Sequence, residues 1–261
     1  MKYVIDCFRS WNLIRINRRR LLKAPKKTPL GFLMKGPSYL FQENWEVEEI
    51  KLFRKLVSQS QRFINVGANV GLYVLLARQN GLPVTALEPV PQTVQFLLQN
   101  LEINSLSDQV TVIPAAVGNA AGVETIYGLG TAASLMKDWG NNPDSLRQRV
   151  PVVCLDDVIK MPNKNEQLLI LLDVEGYEHK ALLGAKKLIA SRPRPIWIVE
   201  IISAETGAIQ NGSANEIFSM FAKAGYSVKC IDPFMTETHK LVKGVTNYVF
   251  FNKEQSIAKI I

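Results

Sequence analysis

The residues with the clearest chemistry are Phe63-Ile64-Asn65-Val66-Gly67-Ala68-Asn69-Val70-Gly71, with Glu88 seventeen positions beyond Gly71. A short apolar run ends in a glycine loop, and the loop opens a helix predicted over Gly71 to Asn80. A second apolar run, Val84 to Leu87, then ends in the acid. Strand, glycine turn, helix, strand, acid is the order by which doubly wound α/β proteins hold a nucleoside. Glycine lets the backbone approach a ligand with no Cβ between them. A carboxylate at the end of the second strand can accept hydrogen bonds from both ribose hydroxyls. A second set of acids, Asp173 and Glu175, closes the apolar run Leu168 to Leu172.

The spacing Gly67-Ala68-Asn69-Val70-Gly71 has no third glycine of the dinucleotide fingerprint. A pyrophosphate is therefore a poor fit. An uncharged loop suits S-adenosylmethionine, which has no phosphate to cradle. In that reading Gly67, Ala68, Asn69 and Gly71 surround the methionine half and Glu88 holds the ribose. Ala115 and Ala116, just past the third strand, border the adenine or serve only as small packing residues. Asp173 or Glu175 can accept the proton of an acceptor hydroxyl. Either can instead cap the next helix, and Asp173 can orient the cofactor. His179 lies four residues after Glu175, the spacing at which a Glu–His pair could polarise a base; the plainer reading is an exposed helix face. Asp173, Glu175 and His179 have no convincing metal-ligand spacing, so no metal is expected.

The elements that must position these groups alternate along the chain. A helix over Trp45 to Ser58 leads into strand Phe63–Val66. Strand Val84–Glu88 precedes a helix opened by Pro91 in its first turn, with Val94, Leu97, Leu98 and Leu101 predicted on one face. Strand Val110–Pro114 follows. Gly118 to Val153 breaks the rhythm: two short strand-like runs, Val123–Tyr127 and Val150–Val153, flank a polar loop. This reads as an insertion (118–153) shaping an acceptor pocket, with Ser134 and Trp139 as candidate contacts. Asn141-Asn142-Pro143-Asp144 within it reads as a turn. Strand Leu168–Asp173 is almost pure Leu and Ile, as for a central strand buried on both faces. A helix over Tyr177 to Ala190, strand Ile196–Ile201, and a helix over Ala214 to Ala224 with a capping box of Ser213 and Glu216 come next. Ser227–Ile231 and Thr246–Phe251 have no helix between them and should pair antiparallel at the sheet edge. The fold class is thus α/β: a doubly wound, mostly parallel seven-stranded Rossmann-like sheet with an antiparallel C-terminal strand pair.

Charge is unevenly placed. The chain of 261 residues has a net charge of +8, but residues 1–35 hold ten Lys or Arg against Asp6 alone. The rest of the chain is close to neutral. Val4, Phe8, Trp11 and Ile14 recur at near-helical spacing in this basic arm. Such a helix can pack its apolar stripe on the domain, lie on an anionic membrane surface, or grip RNA or an acidic glycan. The near-neutral remainder argues against nucleic acid. Lys23 to Pro37, with three prolines and two glycines, reads as a linker. The domains expected are therefore an arm and linker over 1–44 and a catalytic domain over 45–261. No apolar run reaches the roughly 18 residues that span a bilayer, and Met1 to Asn17 lacks a signal-peptide core. Cys7, Cys154 and Cys230 form no cluster, which suggests reduced thiols and a cytoplasmic setting.

Four blocks resemble the FkbM family of class I S-adenosylmethionine-dependent methyltransferases over roughly residues 45–251. They are Phe63 to Gly71; Leu87-Glu88-Pro89 with Asn100 and Asn104; Leu155-Asp156; and Leu172-Asp173-Val174-Glu175-Gly176-Tyr177-Glu178 followed by Leu183-Gly184-Ala185. The resemblance implies methyl transfer to hydroxyls of sugars and polyketide-type compounds, with Pro89 beside Glu88 at the cofactor. Two positions depart from the family. Asn65 stands where it usually has Asp, which keeps hydrogen bonding but loses a charge facing the cofactor's amino group. Leu171 stands where it often has Lys. The expectation is an O-methyltransferase acting on a small-molecule or glycan hydroxyl, such as a saccharide, a glycolipid or a related secondary metabolite. An RNA-modifying enzyme and a catalytically silent binding module remain the alternatives.

Overall fold

The computed structural model describes residues 12, 14–16, 18–137, 139, 145–202 and 214–254. Its centre is a seven-stranded sheet. In chain order the strands are β1 (Lys26–Lys27), β2 (Leu33–Met34), β3 (Arg62–Val66), β4 (Val84–Leu87), β5 (Val110–Ile113), β6 (Ala116–Val117), β7 (Gly122–Tyr127), β8 (Arg147–Val153), β9 (Leu168–Leu172), β10 (Ile196–Glu200), β11 (Ser227–Cys230) and β12 (Asn247–Phe251). The large sheet runs β11-β12-β10-β9-β3-β4-β5. β10, β9, β3, β4 and β5 are parallel, and β12 is antiparallel to both β10 and β11. This is the mostly parallel sheet with an antiparallel C-terminal pair that the sequence predicts.

The alternation of side chains along the strands divides the core into two. On one face Phe63, Ala86, Leu169, Leu171 and Ile198 pack with helices α1 (Val47–Val57), α2 (Leu72–Gln79) and α3 (Pro91–Ile103). On the other, Ile64, Val66, Leu168, Ile170, Leu172 and Trp197 pack with α4 (Leu155–Val158), α5 (Glu178–Leu183), α6 (Lys186–Ala190) and α7 (Ala214–Lys223). All five residues of β9 are buried, as a strand covered on both sides requires.

Several elements differ from the sequence reading. On α3, Leu98 is 49% exposed, and the inward face is Thr93, Phe96, Leu97, Asn100 and Leu101. The helix expected from Tyr177 to Ala190 is broken into α5 and α6 around Gly184-Ala185. A Cβ at Gly184 would run into the carbonyl oxygen of Gly118, so the break sits where another backbone presses in. The Asp156 carboxylate then accepts from the N–H groups of Lys187 (2.8 Å) and Leu188 (3.0 Å), giving α6 its own start. Thus the Leu155-Asp156 and Leu183-Gly184-Ala185 blocks meet in space and serve architecture.

The stretch read as a linker is structured. β1 and β2 pair as a small antiparallel hairpin, and Met34 is fully buried in the core. Asn100 and Asn104 clasp it. Asn100 accepts from Lys35 N–H (2.8 Å) and donates to the carbonyls of Lys35 and Val70 (2.9 Å each). Asn104 accepts from Leu33 N–H (3.0 Å) and donates to its carbonyl (2.8 Å). The 118–153 region forms most of a separate three-stranded sheet, β6-β8-β7, with its own small core of Val90, Ala116, Ile126, Val150 and Val152. Cys230 is buried, whereas Cys154 follows β8 and is only partly covered. Val4, Phe8, Trp11, Ser213 and the 141–144 turn lie outside the described residues. Ile14 is 50% exposed. No helix among the described residues is long and apolar enough to cross a membrane.

Candidate active site

Strand register assembles the site. Leu87 pairs with Val66, Val66 with Leu172, and Leu172 with Val199. The next residue along each strand is Glu88, Gly67, Asp173 or Glu200. These four therefore form one row across the carboxyl edge of the sheet, where open α/β sheets place their ligands.

Two adjoining cavities open along this row. The first is lined by Glu88, Pro89, Ala115, Ala116, Val117 and Ile126, among others. The second is lined by Tyr39, Trp45, Glu46, Asn65, Tyr73 and Glu200, with Ala68 in its wall. Gly67, Asn69, Thr131, Asp173 and Glu175 line both and mark the junction. Among the described residues, neither lining contains a Lys, Arg or His.

Glu88 is buried and already organised. Its Oε2 accepts from Asn69 N–H and its Oε1 from Val90 N–H, both at 2.9 Å. Burial raises its pKa to about 7, against the pull of these two bonds. Gly67 has φ +82°, and a Cβ there would fall onto the Asp173 carbonyl oxygen. Its glycine identity is therefore required by the closeness of β3 and β9 as well as by the turn. Gly71 lines neither cavity. A Cβ there would collide with Leu97 Cδ1, so Gly71 lets α2 approach α3. Asn65 is 1% exposed and its Oδ1 has no hydrogen-bond partner among the described residues.

The acids at the junction are strongly perturbed. Asp173 is raised by burial, and Glu200 is raised well above the carboxylate range by burial and by the Asp173 charge. A side-chain hydrogen bond with Asp173 adds to the upward shift of Glu200. Burial first, and the Asp173 charge second, raise Glu175 to about 8. Glu175 has a left-handed backbone, φ +53°, a conformation that costs a non-glycine residue about 1–3 kcal/mol. Trp139 Nε1 donates to its Oε2 at 2.8 Å, and Ser134 Oγ donates to its backbone carbonyl at 2.6 Å. Ser134 and Trp139 thus hold Glu175. Across the second cavity, Tyr73 donates to Glu46 Oε2 at 2.6 Å, while burial raises Glu46 to about 8. Tyr39 stacks on Trp45 with ring centroids 4.7 Å apart.

His179 lines neither cavity. The four-residue spacing that linked it to Glu175 presumes a helix through both, but α5 begins only at Glu178. Instead Glu178 is buried and accepts from Gly176 N–H (3.0 Å) and Val174 N–H (3.2 Å), fixing the turn that carries Glu175. Sequence reasoning missed Tyr39, Trp45, Glu46, Tyr73 and Glu200. Glu200 had a readable signal: like Glu88 and Asp173, it ends an apolar run, Ile196 to Val199.

A family model described as Methyltransferase FkbM domain matches residues 65–228. The chain belongs to the FkbM methyltransferase family. No curated protein matches it. Among solved structures, a precorrin-6y C5,15-methyltransferase from Geobacter metallireducens is similar at 14% identity and TM-score 0.47, covering 84% of this chain and 95% of that one. A magnesium protoporphyrin IX methyltransferase from Synechocystis, with bound SAM, is similar at 11% identity and TM-score 0.46, covering 96% and 97%. A putative O-methyltransferase from Klebsiella pneumoniae gives 15% identity and TM-score 0.43, covering 78% and 80%.

As an FkbM methyltransferase the chain uses S-adenosylmethionine, and its residues fit that group. Glu88 retains lone pairs for ribose hydroxyls, and Ala115 and Ala116 leave a flat apolar border for a base. The orphaned Asn65 Oδ1 is a buried acceptor that a ligand's donor can satisfy. A lining with carboxyls and no cations suits a ligand bearing a sulfonium and an ammonium.

Proposed function

We propose that this FkbM methyltransferase methylates a hydroxyl of a saccharide, glycolipid or related secondary metabolite. The observation that carries the reading is the placement of Glu175 at the junction of the two cavities, with a pKa of about 8. A base poised near the working pH can take a hydroxyl proton as the oxygen becomes bonded to carbon. S-adenosylmethionine, when bound, supplies an electrophilic methyl group. Glu88 holds that ligand in the first cavity, Asn69 holds it at the junction, and Asn65 reaches it from the adjoining wall of the second cavity. Trp139 fixes the Glu175 carboxyl and Ser134 its backbone carbonyl, so that an acceptor oxygen meets the carboxyl without searching. Alignment of this kind can contribute about 7–11 kcal/mol.

Support for a sugar-like acceptor comes from the second cavity. Carboxyls accept from hydroxyls, and the Tyr39–Trp45 pair offers an apolar platform for a ring's C–H face. The described lining of this cavity offers no cation to pair with a nucleic-acid phosphate, which counts against RNA. The test is methyl transfer from labelled S-adenosylmethionine to a panel of hydroxyl and amine acceptors. A hydroxyl acceptor should be methylated, and Glu175→Gln should lower kcat by roughly 10²–10⁴-fold while cofactor affinity stays unchanged. Methylation of amines alone, or full activity in Glu175→Gln, would refute this reading.

A further inference from the structure

A third cavity of about 400 Å³ lies against the second and shares Leu40, Trp45 and Leu72 with it. Its size falls within the range of small-molecule sites. Most of its wall is apolar: Pro29, Leu30, Val47 and Ile50 complete it beside the three shared residues. Its edge is basic. Lys51, Arg54 and Lys55 follow one another along α1, with Glu43 and Gln42 as the other polar lining groups. Lys51 pairs with Glu48 at 3.4 Å. Arg54 and Lys55 are exposed and have no ion-pair partner among the described residues.

An apolar pocket edged by free cations suits an anionic amphiphile. The chain's own N-terminal stretch is a poor occupant, because residues 1–35 are strongly basic and carry the same sign as the edge. We propose that this cavity binds the apolar part of an anionic amphiphilic acceptor, with Arg54 and Lys55 holding its phosphate or carboxylate. Because the two cavities adjoin at Leu40, Trp45 and Leu72, an acceptor seated here has its hydroxyl-bearing part beside the second cavity. This deepens the function proposed above and rests on it for the link to chemistry, while the binding itself needs no cofactor.

The test is calorimetric titration of the full chain with dodecyl phosphate below its micelle concentration, beside inorganic phosphate and dodecyl maltoside. Dodecyl phosphate should bind at micromolar concentration, and the maltoside at least tenfold more weakly. Arg54→Ala with Lys55→Ala should weaken dodecyl phosphate at least tenfold, as should Val47→Asp at the half-exposed lip. Circular dichroism and S-adenosylhomocysteine affinity should be unchanged in these variants. No binding by the native chain, equal binding by the double variant, or inorganic phosphate binding as well as dodecyl phosphate would overturn the proposal. Loss of S-adenosylhomocysteine binding alone would instead count against the function proposed above.

Discussion

At the scale of single residues, the site turns on carboxyls that burial has shifted toward neutral pH. Glu88 joins the ends of two loops by accepting from Asn69 and Val90. Glu88→Ala should weaken S-adenosylhomocysteine by at least roughly tenfold, since hydrogen bonds to charged groups are worth about 1.5–3 kcal/mol. Titration calorimetry would show it. Glu175 sets the expected pH profile. It acts as a base only when deprotonated, and burial with the neighbouring Asp173 raises it to about 8. Turnover should therefore rise with pH through about 8 and level off above it, and Glu175→Gln should remove that limb. His179→Ala should leave the profile in place, because His179 lines neither cavity.

At the scale of elements, strands were legible and contacts between distant segments were not. Runs such as Leu168 to Leu172 declare a buried strand by composition. The break between α5 and α6 depends on Gly118, 66 positions from Gly184, and no local pattern encodes it. Glu175 misled for a related reason: its φ of +53° puts it outside the helix that its spacing to His179 assumed. The hairpin of β1 and β2 was hidden by its prolines and glycines, although Asn100 and Asn104, which hold it, stand out in the sequence as a pair. Asn100→Ala would leave the Lys35 N–H and two carbonyls without their partner. It should lower stability by about 2–3 kcal/mol, measured by chemical denaturation.

At the scale of the whole molecule, buried acid faces inward, and among the described residues basic charge apart from Arg78 lies at or near the surface. Glu46 and Glu175 are raised to about 8, and Glu88 and Glu178 to about 7, burial being the main cause in each. Each of these acids binds its proton more tightly folded than unfolded. Their contribution is thus fully present below the ordinary carboxylate pKa, near 4.5, and is lost as pH rises through about 7–8. The melting temperature of the cofactor-free protein should fall between about pH 5 and 8 and then flatten, as scanning calorimetry would record. The row Glu88–Gly67–Asp173–Glu200 has a further consequence, for how such a sequence can change over generations. Each member is placed by counting residues along its own strand, so side-chain exchanges within β3, β4, β9 and β10 leave the row intact. Losing a single codon within any of them would shift the row residue that follows it by one step and turn its neighbours to the opposite face. Lineages of this chain should therefore vary freely in which aliphatic residue fills these strands while keeping their lengths fixed.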